Sequence, residues 1–372
     1  MIIKSTKRPR VLAAALLAGA VMVTAAGCTA TAEPAPTETT EAEQTVAPAT
    51  ITIATPTPAG TPAGVPLWTG ELNGFFEEEN LTVEVVAFPG QPANAVAAVI
   101  AGQADLAIAA PDALIVPTAN QGPQGLTWIF TPYQAPTFRI AVLEDSDIKD
   151  AGDLEGTTVG MASTGAPFET FLAANIKGEG GDPATATAVA VAGAAAVEQL
   201  RQGGVSAIVS NPGDIAQAAV STDTELRTLD LAPNVAEDFG AGFLMRSDAS
   251  DEDRGVYERY LRAYLKSAIF AQQNPEAALD MNFELYPEAK PADETGKKAA
   301  LASLSAIMDT FVPDADGTWG FIAPERWDAH IAAMGLSEKI PDSSVLYDNG
   351  LLDAIGDFDQ AMVEEQAVNF GK

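Results

Sequence analysis

Hydrophobic and polar positions change period along the chain in a way that predicts alternating strands and helices. The segments TITIAT (50–55) and LTVEVVAF (81–88) alternate as strands do, and a helical pattern separates them. A further helix that stops near Gly102 and a short strand at 104–110 come next. This βαβαβα order predicts an α/β protein in which mostly parallel sheets are flanked by helices.

The same order returns later, and one echo of the first half is specific. Aligning residues 101–114 with residues 202–215 pairs Gly102 with Gly203 and Pro111 with Pro212. Each unit combines a helix end, a glycine, a short buried strand and a helix that starts with proline. Two equivalent lobes of this kind form a cleft for a ligand; chance similarity is the alternative. The later strands are predicted at 157–162, 186–193 and 205–210.

From about residue 250 the pattern is mostly helical. Ser250 and Asp253 resemble a capping box at the start of a long helix, and Asn274-Pro275 ends that helix and begins the next. The aromatic residues of this region are interpreted as core. The apolar stripe of the long helix consists of Val256, Tyr260, Leu261, Tyr264, Leu265 and Ile269.

Residues 1–27 have the pattern of an export signal. A basic cluster at 4–10 precedes an apolar run that is too short to span a bilayer, and small residues then lead into Cys28, the one cysteine of the chain. The segment resembles the lipobox of bacterial lipoproteins, although Ala25 stands where leucine is commonest. The resemblance implies lipid attachment to Cys28 and cleavage before it; an ordinary secretory signal is the alternative.

Residues 28–50 are dominated by Thr, Glu, Pro and Ala, which predicts a disordered tether. The remaining length is too great for one ordinary core and indicates two lobes. Loss of residues 1–27 would take the net charge from −31 to −35, which argues against nucleic acid as a partner. The single histidine, His330, lies in a helical pattern and is interpreted as structural. No metal, cofactor or disulfide is expected.

Three passages resemble the substrate-binding proteins of ABC importers, in the branch for nitrate, sulfonates such as taurine, and thiamine-precursor pyrimidines. They are WTGELNGFFEEENLTVEVVAFPG (68–90), VAAVIAGQADLAIAAPDALIVPTANQG (96–122) and DLEGTTVGMASTGAPFETFL (153–172). The resemblance implies the type II periplasmic binding fold, in which two α/β lobes are joined by two crossings.

The resemblance also implies an organisation and partners. Lobe one is expected at 51–140 and 242–372, and the hinge strands and lobe two at 141–241. The hinge strands themselves are expected at 138–143 and 240–246. A monomeric, lipid-anchored protein on the outer face of the cytoplasmic membrane would capture a small molecule and deliver it to a permease and its ATPase.

Candidate ligand contacts lie in loops that follow strands, where helix N-termini offer free N–H groups. Ser163 and Thr164 either bind the ligand or cap their helix. Asp112 either stabilises its helix or binds an amino group of the ligand, and Tyr133 and Phe168 either stack on a flat ring or pack under the cleft. The full set is Thr61, Trp68, Pro111, Asp112, Tyr133, Ser163, Thr164, Gly165, Phe168, Ser210 and Asn211.

The predicted loops contain no lysine or arginine, and Arg139 lies on a hinge strand that leaves its direction open. Because Asp112 would repel an anion, the pattern favours an uncharged or weakly basic ligand such as a pyrimidine over a sulfonate or nitrate. Two alternatives to import remain: a ligand-sensing lipoprotein without transport, and an enzyme like the pyrimidine synthases of this fold. Those synthases depend on histidine and a cysteine-rich segment, so an enzyme is not expected.

Overall fold

The computed structural model describes residues 2–3, 46–162, 164 and 167–371. Its strands form two separate sheets, each with its own hydrophobic core, and each sheet with the helices packed on it is called a lobe. The predicted α/β class is confirmed. The strands are β1 (Ile2–Ile3), β2 (Ala49–Thr55), β3 (Leu81–Ala87), β4 (Leu106–Ala109), β5 (Leu126–Phe130), β6 (Arg139–Leu143), β7 (Thr158–Met161), β8 (Thr187–Ala190), β9 (Ala207–Ser210), β10 (Leu226–Thr228) and β11 (Gly242–Arg246).

Both sheets are mixed. The first has the order β1-β3-β2-β4-β11-β5, and the second has the order β10-β6-β9-β7-β8. Pairing is parallel, as predicted, among β2, β3 and β4 and among β7, β8 and β9, where helices connect successive strands. Pairing is antiparallel around β6 and β11, the strands by which the chain enters the second lobe and later returns to the first.

Helices cover the sheets, and none in the described part combines the length and the apolar character needed to traverse a bilayer. They are α1 (Val65–Trp68), α2 (Gly70–Asn73), α3 (Phe75–Glu78), α4 (Pro92–Ile100), α5 (Asp112–Gln121), α6 (Phe168–Gly178), α7 (Gly193–Arg201), α8 (Pro212–Thr222), α9 (Pro233–Ala236), α10 (Asp251–Gln273), α11 (Pro275–Leu285), α12 (Glu294–Met308), α13 (Pro324–Ala333), α14 (Leu352–Ile355) and α15 (Gln360–Asn369). Short 3-10 turns occur at Pro62–Gly64, Ala151–Leu154, Pro183–Thr185, Pro287–Ala289 and Ser343–Val345.

The helical pattern that opens with Val65 is divided into α1, α2 and α3. Gly74 has φ of 89°, a left-handed conformation that glycine adopts readily, so the helix ends there and restarts in a new direction. The turn lets Phe75 and Phe76 reach the core of the first lobe, where each is at most 2 % exposed.

Helix α10 is the central helix of the first lobe. Ser250 and Asp253 form the predicted capping box, and Asn274 ends the helix and caps α11. The predicted apolar stripe is buried except for Val256, which packs at the edge of the core. The sequence pattern of this region was therefore a sufficient guide to its structure.

Two crossings connect the lobes, and each continues directly into a strand inside a sheet. The first follows β5 and enters β6, which lies between β10 and β9. The second follows α9 and enters β11, which lies between β4 and β5. The two strands therefore fix each crossing to a sheet by hydrogen bonds on both sides.

The lobes also touch through α12 of the first and α8 of the second. Leu304 and Met308 of α12 belong to the core of the first lobe, whereas Ile215 and Ala218 of α8 belong to the core of the second. At Gly213 the helices approach so closely that a Cβ atom there would lie 2.6 Å from Ile307 Cδ1.

We expect Gly213→Ala to shift the lobes apart. The added methyl would strain the α8–α12 contact by about 1–3 kcal/mol, whereas alanine favours the helix itself by up to about 1 kcal/mol. Solution scattering should show a larger radius of gyration for the ligand-free variant, with the stability of each lobe retained. Equal radii for the variant and the parent would mean that the contact does not hold the lobes together.

Candidate functional site

A cavity of about 370 Å³ lies between the lobes beside the crossings. The end of α12 and the residues after it form one wall, the first crossing forms the base, and the second lobe forms the opposite wall. This volume is within the range of small-molecule sites. The lining residues are Gln134, Ala135, Arg139, Pro212, Thr228, Ala306, Asp309, Thr310 and Val312.

The second-lobe wall is built by one edge of its sheet. Strand β9 ends at Ser210 opposite Arg139, where β6 begins. Strand β10 also runs antiparallel to β6, and its last residue, Thr228, pairs with Ala141, two residues beyond Arg139. The C-terminal ends of β9 and β10 and the N-terminal end of β6 therefore lie together at the edge that faces the first lobe.

Arg139 is the cationic side chain of this wall. Its Nη1 donates to Pro136 O at 2.7 Å and to Phe138 O at 2.8 Å, which fixes the guanidinium beside the first crossing. Burial lowers the pKa of Arg139. Within the described residues no carboxylate lies within ion-pair distance of it. A half-buried guanidinium without a counter-charge is costly, and an anionic group in the cavity would relieve that cost.

The charge of the cavity differs from the expectation drawn from the loops. That expectation rested on the absence of lysine and arginine, but Arg139, whose direction the sequence left open, lines the cavity. Asp309 also lines it but is solvent-exposed, and its charge is not among the causes of the shift in the Arg139 pKa. Arg139 therefore adds a cation to a cavity for which the predicted loops alone supplied none.

Ser210 and Asn211 directly precede the cavity-lining Pro212, and Asn211 is the N-cap of α8. Asn211 Oδ1 accepts from the backbone N–H of Asp214 at 2.8 Å, and Asn211 Nδ2 donates to Asp214 Oδ2 at 2.6 Å. Ser210 Oγ donates to the same carboxylate at 3.3 Å. Pro212, the next residue, is the one that lines the cavity.

The loop after β7 is described only in part. Ser163 and Gly165 lie outside the described residues, as does Cys28. Thr164 is exposed, and α6 begins at Phe168 with Pro167 at its N-cap, so Thr164 is not the capping residue. The Phe168 ring is half-buried and packs on Phe138 with centroids 4.6 Å apart.

Thr61 and Trp68 lie on the first lobe, where the turn Pro62–Gly64 contacts α12, the helix that also contacts α8. The Thr61 hydroxyl donates to Pro58 O at 2.9 Å. Trp68 is only 4 % exposed, and its Nε1 donates to Asn282 Oδ1 at 2.7 Å. Asn282 Nδ2 in turn donates to Gly60 O at 2.7 Å, so Trp68 supports the turn from behind.

Tyr133 lies on the first crossing and packs on Phe311, with ring centroids 6.1 Å apart. Burial raises the pKa of Tyr133, and the neighbouring Tyr264 hydroxyl partly offsets this. The phenol is therefore neutral. The side chain is half-buried, and Tyr133 is not among the residues that line the cavity.

Pro111 is buried at the start of α5, and Asp112 follows it. Asp112 Oδ1 accepts a hydrogen bond from His330 Nε2 at 2.7 Å, and His330 Nδ1 donates to Asp238 on the second crossing. Burial opposes a charge on His330, but the hydrogen bonds to Asp112 and Asp238 outweigh burial and raise the pKa of His330 to about 9. The interpretation of His330 as a structural residue agrees with this geometry.

Several residues of the cavity had no signal in the sequence. Gln134, Thr228 and Thr310 come from three distant segments, and none lies in a motif. Arg139 was the one residue with a usable signal, since it is a lone cation at the start of a predicted hinge strand. The remaining contacts depend on how the crossings bring the lobes together.

Comparison with known proteins places this architecture in a family. The model of the NMT1/THI5-like family matches residues 61–278, more than half of the chain. The chain belongs to the NMT1/THI5-like family. The resemblance seen in the sequence is thereby confirmed, and no curated protein matches the chain.

Solved structures show the fold of this NMT1/THI5-like protein. The aliphatic sulphonate binding protein SsuA of Escherichia coli is 16 % identical, with 81 % of this chain and 89 % of that chain covered and a TM-score of 0.57. A sulfonate-binding SsuA of Methylobacillus flagellatus KT is 14 % identical (87 % and 96 % covered, TM-score 0.57). The MOPS-bound alkanesulfonate-binding protein SsuA of Xanthomonas axonopodis pv. citri is 14 % identical (83 % and 98 % covered, TM-score 0.51). The fold is that of periplasmic binding proteins.

We expect the stability of the protein to fall at alkaline pH through His330. The pKa of His330 in the folded protein, about 9, exceeds the ordinary value of 6.5 for histidine, so the stabilisation is complete below pH 6.5 and is lost as pH rises through 9. The free energy of unfolding should fall by no more than about 3 kcal/mol. Solvent around the partly exposed Asp112 screens the interaction and makes the fall smaller than this limit. Urea midpoints from pH 6 to pH 10 measure it.

The control is His330→Gln, which removes the titrating ring. Its stability should be lower at pH 6 and should change less between pH 7 and pH 10. Parallel pH profiles for the variant and the parent would show that His330 does not carry the dependence.

Proposed function

We propose that this protein is the solute-binding component of an ABC importer and captures its ligand in the cavity beside Arg139. The observation that carries the proposal is a ligand-sized cavity whose walls come from two lobes and whose base is a crossing. A cavity of this construction exists only when the lobes are together. A ligand that contacts both walls therefore stabilises the closed arrangement over an open one, as capture requires.

The ligand class follows from the wall that holds Arg139. A carboxylate, sulfonate or phosphate oxygen would accept hydrogen bonds from the guanidinium donors that do not reach the crossing. Thr228, Thr310 and Gln134 add polar groups around the same cavity. The names of the three structural neighbours state that those proteins bind sulfonates. We propose a small organic anion of this kind, in place of the pyrimidine that the loops alone favoured.

Binding rather than catalysis fits the residues at the cavity. Its lining residues include no histidine, cysteine or lysine that could act as a base or nucleophile. The one histidine of the chain is engaged by Asp112 and Asp238. Synthase chemistry of the kind that depends on histidine therefore has no group at this cavity to perform it.

Location and delivery complete the proposal. Lipid attached to Cys28 would hold the protein at the outer face of the cytoplasmic membrane, and the tether predicted from the sequence would separate the folded lobes from that membrane. The closed, ligand-bound protein would then dock on a permease driven by an ATPase. A sensing lipoprotein would share the capture step but would not need the permease.

The binding proposal is tested by titration calorimetry of the parent and of Arg139→Gln with taurine, MOPS, nitrate and an aminopyrimidine. We expect one of the two sulfonates, taurine or MOPS, to bind with one-to-one stoichiometry. Loss of charge-assisted hydrogen bonds of about 1.5–3 kcal/mol should raise its Kd about 10–100-fold in the variant.

The matched control is Arg227→Gln in the same lobe, because Arg227 also donates to backbone carbonyls but does not line the cavity. Its Kd should equal that of the parent. Cells in which Arg139→Gln replaces the parent should take up the bound compound poorly; normal uptake would contradict import through this site. Tight binding of the aminopyrimidine alone would contradict the anion class.

Cys28→Ser tests the anchor. Serine offers no thiol for thioether attachment, so the variant should leave the membrane fraction and lose fatty-acid label, whereas its ligand affinity should be unchanged. Retention of the variant in the membrane fraction would mean that another segment holds the protein there.

A further inference from the structure

Helix α13 of the first lobe holds both crossings through one side chain, Arg326. Its Nε donates to Glu237 O at 2.7 Å and its Nη2 donates to Asp238 O at 2.9 Å, both on the second crossing. Its Nη2 and Nη1 donate to Gln134 O at 2.8 Å and to Gln134 Oε1 at 2.7 Å on the first crossing. One guanidinium thus joins two segments that are about a hundred residues apart in the chain.

The clamped residues are also fixed to each other and to the first lobe. The Gly240 N–H donates to Tyr133 O at 2.9 Å, which links the two crossings directly. The Gln134 N–H donates to Thr310 O at 3.1 Å, and Gln134 Nε2 donates to Phe321 O at 2.9 Å. These bonds give the end of each crossing on the first-lobe side several independent attachments.

The opposite ends of the crossings are attached to the second lobe. Phe138 packs on Phe168 and Phe171. On the second crossing, the Ala232 N–H donates to Asn175 Oδ1 at 3.0 Å, and α9 packs on α6. Between the two sets of attachments lie two short segments. One is Ala135–Thr137, where the only side-chain hydrogen bond in the described residues is the one from Arg139 Nη1 to Pro136 O. The other is the turn at Ala236–Glu237, which a hydrogen bond from the Asp238 N–H to Val235 O closes at 2.9 Å.

We propose that Arg326 is a positioning residue that confines the hinge pivot to Ala135–Thr137 and the Ala236–Glu237 junction. The planar fork of arginine suits this task because it donates to several carbonyls in fixed directions. Since the first segment borders Arg139 and the cavity, a pivot at this place moves the second-lobe wall as a unit. The role concerns how the lobes move and does not depend on which solute is bound.

The test measures distances between spin labels at Gln202→Cys and Asp353→Cys in a Cys28→Ser background, without ligand. Both positions are exposed, one on each lobe. The parent should give a narrow distribution. Arg326→Gln should broaden it about twofold or more, because the crossings lose their common attachment and more orientations become accessible.

Two further variants test whether the effect comes from the hydrogen-bonding geometry of the guanidinium, from its charge, or from a general loss of rigidity. Arg326→Lys keeps the charge but not the fork, so it should broaden the distribution nearly as much as Arg326→Gln. Arg259→Gln is the matched control, because Arg259 also donates to backbone carbonyls, those of Ala47 and Glu79, away from the crossings. It should leave the distribution narrow.

Amide hydrogen exchange distinguishes a local change at the crossings from a general loss of stability, because a general loss would speed exchange in both lobes. In Arg326→Gln the amides of Gln134 and Gly240 should exchange faster, whereas that of Gly160 in β7 should not change. An unchanged distance distribution in Arg326→Gln, or equal broadening in Arg259→Gln, would overturn the proposal. So would faster exchange that includes Gly160 to the same degree.

Discussion

Each crossing between the lobes is continuous with a strand that has hydrogen-bonded neighbours on both sides. β6 and β11 are antiparallel to their neighbours, and each is the strand by which a crossing enters its sheet. A strand held on two sides cannot shift without disrupting its sheet, so each lobe moves as one body. The position of the cavity follows from this constraint, because the residues beside the crossings are those whose separation the crossings control.

Buried and half-buried cations in this acidic protein are satisfied in different ways. Arg326 is surrounded by carbonyl and amide oxygens, and His330 lies between two carboxylates. Arg139 uses only Nη1, which bonds two carbonyls of its own crossing, and it lines the cavity. The first two are structural because their bonds stay within the protein. Arg139 has donors left over for a solute, and this difference is the basis of the functional account.

Much of the fold was predictable because local patterns determine it. The period of two in β2 and β3, the capping box at Ser250 and the Asn274-Pro275 junction are each set by residues that are close in sequence. The division of one predicted helix into α1, α2 and α3 was missed, because an apolar face that spans Gly74 looks continuous in sequence. The mixed character of the sheets was missed because strand direction depends on the path through the crossings.

The site was less predictable for the same reason. Loops at strand ends were a sound guide to the correct edge of the second sheet, since Asn211 lies one residue from a cavity-lining proline. They could not reveal that α12 contacts both the turn Pro62–Gly64 and α8, or that Asp112 accepts a hydrogen bond from His330. Those contacts join segments more than 70 residues apart, and no pattern in the chain encodes them.

Native mass spectrometry of the protein purified from its own cells tests the central claim most directly. The account predicts one small acidic molecule per chain, retained under mild conditions and absent from an Arg139→Gln protein prepared in parallel. A parent protein that carries no small molecule after growth on a full range of nutrients, or one that carries the same molecule with and without Arg139, would contradict it.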